Sequence, residues 1–343
     1  MRLFRLSLGT AVLALGLWAM VTQASAAEEV NVYSARHYKS DQLLFDTFTK
    51  ETGIRVNVIE GDVGPLLQRL QSEGRNSPAD LFVTADVGNL WRAEEAGVLQ
   101  PVKSATLEEI IPAHLRDPNG QWFGLSQRAR ILVYNKDKVK PDELPTYESL
   151  ADAKWKGRIL VRSSNHVYIQ SLIASIIAAD GPEKAEQWVK AIAGNLARPP
   201  KGGDIDQIKA VAAGEGDVAI SNSYYFARLA GSSNPADRAV TEKLGVVFPN
   251  QGDRGTHVNI SGAGVTKNAP HKANAIKLLE FLVTPEAQKI FAEGNNEYPV
   301  RSGVPTTAVV ASWGPFKGDP IGAATIGKFQ PEAVKIADRS GWR

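Results

Sequence analysis

Residues 30–60 read VNVYSARHYKSDQLLFDTFTKETGIRVNVIE, and this stretch decides the fold. Val30 to Ser34 form a short apolar strand; after a brief loop, Asp41 to Glu51 carry Leu43, Leu44, Phe45 and Phe48 on a helical stripe. Ser40 can cap that helix and Gly53 can end it, and Ile54 to Glu60 follow as a second strand. Outward from there, Pro65 to Glu73 read as a helix, and Ala79 to Val83 as a strand leading into a helix that contains Trp91. A βαβα order of this kind argues for the α/β class, with helices on both faces of the sheets. The second half has the same character without repeating the sequence, with strands at Arg158 to Val161 and Asp217 to Ile220 that run through Ser/Asn-rich turns into helices. Ala129 to Asn135 and His257 to Val265 read as strands lying between the halves. A chain that crosses twice predicts two lobes joined by a hinge, with the ligand in the cleft between them. Near the end, Ala275, Leu278, Leu279 and Leu282 mark an amphipathic helix, Thr284-Pro285 starts another, and Gly294 is expected to close it.

The 343 residues suggest about two domains, on a rough 100 to 200 residues each. At 43% hydrophobic and 22% charged residues, with 30 Gly and 19 Pro in no repeat, the composition excludes collagen-like, coiled-coil and disordered classes. Arg2 and Arg5 precede an apolar run from Ala11 to Met20 that ends in Ala24-Ser25-Ala26. This is the pattern of a signal peptide over residues 1–26, cleaved near Ala26. The run is shorter than the roughly 20 residues needed to span a bilayer. Export from the cytoplasm is therefore expected. Of 39 basic residues the mature chain keeps 37, against 37 acidic ones, so a non-specific grip on nucleic acid is not expected. The absence of cysteine rules out disulfides, a thiol nucleophile, thiolate metal sites and a lipid-modified N-terminal cysteine.

No Gly-x-Ser-x-Gly elbow, Walker loop or His-Glu-x-x-His pair occurs, so catalysis has no visible candidate. Gly214-Glu215-Gly216-Asp217 precedes its strand, whereas phosphate binding needs the glycines after one. What stands out is tyrosine at turns: Tyr38, Tyr168, Tyr224 and Tyr225 all fall just after a predicted strand and near a predicted helix start. Ligands of open α/β sheets bind at such places. His37 beside Tyr38 sets an imidazole where the other pair has a phenol. A phenol with an ordinary pKa of roughly 10 yields its proton near neutrality only to a strongly polarising cation, and ferric iron suits that description best. From the residues alone the alternative stands beside it: Tyr38 and Tyr168 lining a sugar, amine or peptide cleft by stacking, with Tyr224 in the core.

Several motifs carry a resemblance that covers essentially the whole mature chain. They are Tyr33-Ser34-Ala35-Arg36-His37-Tyr38, Pro78 to Asp86, Leu125 to Asn135, Ser221-Asn222-Ser223-Tyr224-Tyr225, and Leu278 to Val300 with its Asn296-Glu297-Tyr298-Pro299-Val300 ending. The first and fourth are specific; the others mark a wider superfamily. The chain resembles the periplasmic ferric-iron-binding proteins of ABC transporters, and within them the cyanobacterial-type binders, to which a third second-lobe tyrosine at Tyr168 points. The resemblance implies a type II periplasmic binding protein, each lobe a mixed sheet flanked by helices and the two joined by hinge strands. The first lobe would comprise about residues 27–127 plus 260–301, and the second 130–257 plus 302–343. It implies Fe³⁺ as cargo, held by His37 and Tyr38 from one lobe and Tyr168, Tyr224 and Tyr225 from the other. Branches with fewer tyrosines complete the shell with a carboxylate, to be sought here at Glu60 or Asp62, and a synergistic anion. Four phenolates on Fe³⁺ leave one net negative charge, and Arg128 and Arg228 are the candidates to neutralise it. His166 reads as a solvated helix-start residue, and His114, His257 and His271 show no partners. The implied partner is an inner-membrane permease served by a monomer. The rivals are a same-fold binder of an organic cation such as a polyamine or thiamine, its tyrosines stacking, and an exported iron-dependent redox enzyme.

Overall fold

The structure is a computed structural model and describes residues 28–36 and 38–343. The expected signal peptide and His37 lie outside the described residues. The first half runs β1 (Glu29–Ala35), α1 (Lys39–Thr52), β2 (Arg55–Glu60), α2 (Val63–Glu73), β3 (Leu81–Ala85), α3 (Val87–Glu95), α4 (Ala105–Ile110) and β4 (Phe123–Asn135). There follow β5 (Ile159–Leu160), α5 (Val167–Asp180), α6 (Pro182–Asn195), α7 (Asp204–Ala212), β6 (Val218–Asn222), α8 (Ser223–Ala230), α9 (Pro235–Glu242) and β7 (Leu244–Val247). The chain ends with β8 (Val258–Val265), α10 (Lys272–Leu282), α11 (Pro285–Asn295), β9 (Tyr298–Pro299), α12 (Ala308–Ala311) and α13 (Ala323–Arg339).

The strand order β2-β1-β3-β8-β4-β6-β5 is mixed. β1 pairs in parallel with β2 and β3, and β3 turns the direction by pairing antiparallel with β8. β4 joins the two halves. Phe123 to Ala129 pair with β8, whereas Arg130 to Tyr134 pair with β6 and Leu132 to Asn135 with β7. The two-residue side-chain period of this strand feeds two cores: Ala129, Ile131 and Val133 join a smaller apolar cluster with Ile208, Val211 and Phe226, while Leu132 and Tyr134 face the main one. The expected crossing strands are therefore longer on one side than the sequence suggested.

Local chemistry corrects several boundaries. Ser40 lies inside α1, and Tyr38 stands at its N-cap without a side-chain bond; Gly53 does end the helix, in the left-handed region at φ 74°. The buried stripe of α1 is Asp41, Leu44, Phe45 and Phe48, and Leu43 falls off it to 55% exposure. Spacings of three and four leave no room for Leu43 on that face. Thr284 caps α11 as expected, but Gly294 sits within the helix and Asn296 closes it at φ 56°. The final helix, α13, packs on both α5 and α3. Gly327 makes that approach possible, since a Cβ there would lie 2.6 Å from Trp91 Cβ.

Candidate metal centre

Three strand-to-helix junctions converge. Tyr38 follows β1 at the start of α1, Tyr168 is the second residue of α5, and Tyr224 and Tyr225 open α8 directly after β6. The Tyr38 hydroxyl donates to Tyr224 Oη at 3.2 Å, and Tyr224 donates in turn to Tyr168 Oη at 3.2 Å. The Tyr38 and Tyr224 rings meet edge to face at 6.1 Å, and the Tyr224 and Tyr225 centroids are 4.3 Å apart. Adjacent residues can converge in this way because Asn222 marks the change from strand to helix, although its side chain makes no cap bond. Four of the five expected ligands are thus gathered. The fifth, His37, is outside the described residues. Beside the phenols lies a cavity of about 310 Å³ whose lining includes Tyr38, Tyr168, Tyr225, His166, Asp62 and Arg36. Asp62 is part of that lining and Glu60 is not. Among the described residues no group of three or more His, Cys, Asp or Glu could hold a metal ion.

Burial is the main cause that raises the pKa of Tyr38, Tyr168 and Tyr224 and pushes Tyr225 up to about 12; the neighbouring phenols add to it for Tyr168, Tyr224 and Tyr225, and the Glu297 carboxylate for Tyr38. The cluster is therefore neutral near pH 7 until a cation displaces its protons.

Arginines surround it. Arg128 is buried with its guanidinium carbon 5.3 Å from the Tyr168 centroid, but it is paired with Asp86 at 3.3 Å. Asp86 adopts φ 82° at the N-cap of α3, and its carboxylate holds that geometry by accepting from Gly88 N and Asn259 Nδ2, both at 2.9 Å, and from Ser171 Oγ. Arg228 lies 5.5 to 5.8 Å from the centroids of Tyr38, Tyr224 and Tyr225, and its Nη2 donates to Asn295 Oδ1 on α11 at 2.6 Å.

Sequence reasoning missed others. Arg36 is buried between Asp41 at 2.9 Å and Glu297 at 3.0 Å, with its guanidinium carbon 4.6 Å from the Tyr38 centroid. Its place two residues before Tyr38 was the available signal. Arg162 lies 5.3 Å from the Tyr168 centroid and shares Asp204 with Arg130. The expectation for His166 is corrected: it is the N-cap of α5, its Nδ1 accepts from Tyr168 N at 3.2 Å, and its ring meets Tyr168 edge to face at 4.4 Å. Burial and the neighbouring Arg162 push its pKa down to about 3. His271 also has a partner, with Nδ1 3.0 Å from Asp80 Oδ2, and His257 is buried.

Phenols from the two ends of one divided sheet meet across a cleft, the arrangement of a two-lobed binding protein. The chain belongs to the bacterial extracellular solute-binding protein family, which matches residues 44–318. It is 52% identical over 316 residues to iron uptake protein A1 of Synechocystis, covering 92% of this chain and 88% of that protein. It is 51% identical over 338 residues to iron uptake protein A2 of the same organism, covering 98% and 96%. A solved Trichodesmium protein in complex with iron and citrate is 58% identical and superposes with a TM-score of 0.89, over 92% of this chain and all of that one. The fold is thus the two-lobed type II fold of the periplasmic ferric binders, and the relatives are transport proteins, not enzymes.

Proposed function

We propose that the exported chain captures ferric iron between its lobes and delivers it to an inner-membrane ABC permease. Tyr38, Tyr168, Tyr224 and Tyr225 are the ligands, and His37, next to Tyr38, joins them. The observation that carries this reading is the chain of phenol oxygens 3.2 Å apart running from one lobe to the other. Hard anionic oxygens match a small, highly charged cation, and binding replaces their protons. The 310 Å³ cavity leaves room for a small oxygen-donor anion to complete the shell, with Asp62 at its edge; the relative that holds iron together with citrate supports this. Arg128 and Arg228 flank the centre, though the Asp86 pairing leaves Arg228 as the freer charge. The lobes divide where β4 exchanges β8 for β6, between Ala129 and Arg130, and just before Val258 on the return. That supports lobes of about 27–127 plus 260–301 and 130–257 plus 302–343, with α13 bridging them.

An organic cation is the poorer fit. Guanidinium groups already lie within 4.6 to 5.8 Å of every one of the four ring centroids, so a further cation would meet repulsion where it should stack. The test is elemental analysis and visible absorption of the mature chain after incubation with ferric citrate and desalting. One equivalent of iron with a tyrosinate-to-iron charge-transfer band is expected, and Tyr224→Phe and Tyr225→Phe should each lower ferric affinity by more than about 100-fold, the upper range for losing a mere outer-shell partner. Full affinity in both variants would overturn the ligand assignment.

A further inference from the structure

The second lobe carries positive charge beneath its tyrosines that its own ion pairs do not cancel. Arg130 and Arg162 both turn to Asp204, which is buried. Arg130 takes Oδ2 in a short contact, the backbone N–H of Asn222 donates to the same oxygen at 2.8 Å, and Arg162 Nη1 reaches Oδ1 only at 3.4 Å. Two guanidinium groups and one carboxylate leave one positive charge. Arg162 is the loosely held partner: its side chain is 14% exposed, its Nε is buried without a hydrogen-bond partner, and its guanidinium carbon lies 5.3 Å from the Tyr168 centroid. Arg128, at the same distance from that ring, is already neutralised by Asp86.

An incompletely paired, mostly buried cation is unfavourable unless an anion comes to it. The ferric centre read above supplies one, because four phenolates exceed the charge of Fe³⁺ by one. We propose that Arg162 is a positioning residue of this centre, holding the Tyr168 ring and, together with Arg228, supplying the positive charge that faces iron-bound tyrosinates. The inference rests on the ferric reading and adds to it a residue in the loop between β5 and α5.

A purely structural arginine and a charge-balancing one differ in sign when removed. Without Arg162, Arg130 and Asp204 form a balanced pair, so the metal-free protein should keep its melting temperature or gain slightly, while the iron-bound form loses. In the mature chain, Arg162→Gln should lower ferric affinity, measured by citrate competition, by at least about tenfold, as expected for a unit charge a few ångströms away at intermediate dielectric. The charge-transfer band should move, because the phenolate of Tyr168 loses a stabilising cation. Arg162→Lys, which restores charge without the planar group, should recover most of the affinity. Wild-type affinity and band position in Arg162→Gln would overturn the inference and leave the ferric reading intact. So would a lysine variant as weak as the glutamine one, or a loss of metal-free stability that matches the loss of binding. A wild-type chain that takes up no iron removes both.

Discussion

Proton release is the sharpest consequence of a site built from buried phenols. In the metal-free protein all four phenols have raised pKa values, Tyr225 at about 12, so each enters the reaction protonated. Displacing the Tyr225 proton alone at pH 7 costs about 7 kcal/mol, five units at 1.36 kcal/mol each. The sign follows directly: with all four phenols as ligands the bound form would carry no phenol protons while the free form carries four, so affinity should fall as pH falls. With four protons the apparent ferric affinity drops by up to about ten-thousandfold per pH unit throughout the range below the free phenol values. Calorimetry in buffers of different ionisation heat, with a ferric chelate as donor and the chelate's own protonation subtracted, counts those protons. About four per iron are expected for the wild type and about three for Tyr225→Phe. A yield near one, the same in both proteins, would refute the four-phenolate centre even if iron were bound.

Two further outcomes follow from contacts outside the ligand set. Asn295→Ala removes the 2.6 Å acceptor that holds Arg228 across from α8 to α11, and because Arg228 is exposed the effect should be modest: iron transfer to a strong chelator should quicken about three- to tenfold in stopped flow, and an unchanged rate would exclude this bond from holding the lobes together. His257 is fully buried and burial lowers its pKa to about 3, so it is neutral when folded and takes up a proton on unfolding below about pH 6.5. Stability should be indifferent to this group above pH 6.5 and should fall by about 1.4 kcal/mol per unit between there and pH 3. Urea titrations at pH 7.5, 6 and 5 should show that slope diminished in His257→Gln, and an equal slope in both proteins would show that the ring is protonated in the fold.

How much of this was legible in the sequence depended on the range of the interaction. Strands, helices and the placing of four tyrosines at junctions are local, and they could be read from alternation, stripes and turn residues. Leu43 and Gly294 misled because each fits a local rule: one extends an apolar run, and the other is the usual residue for ending a helix. What decides them is packing, since only Asp41, Leu44, Phe45 and Phe48 share the buried face of α1, and α11 continues to Asn295. The charges were the least legible. Arg36 finds Glu297 across 261 residues, and Arg128 finds Asp86 across 42. An arginine read alone promises a free positive charge; the fold determines whether a carboxylate has already taken it.

That distinction bears on how the cleft closes. On the first lobe, Arg36 lies between two carboxylates, Asp41 and Glu297, and leaves one negative charge; on the second, Arg130 and Arg162 share one carboxylate and leave one positive charge, with Arg228 adding another. The halves therefore attract, and at low salt this should favour closure before any metal arrives. Yet at the tyrosines themselves the two halves meet through neutral hydroxyls at 3.2 Å, the long end for such bonds. A cation entering there needs small displacements of oxygens already near one another, and it exchanges weak hydrogen bonds for metal–oxygen bonds in a place where the second lobe's surplus charge meets the negative centre it creates. On the ligand reading proposed above, closure and capture are then separable, because the charges around the tyrosines draw the lobes together while the phenol oxygens bind the cargo.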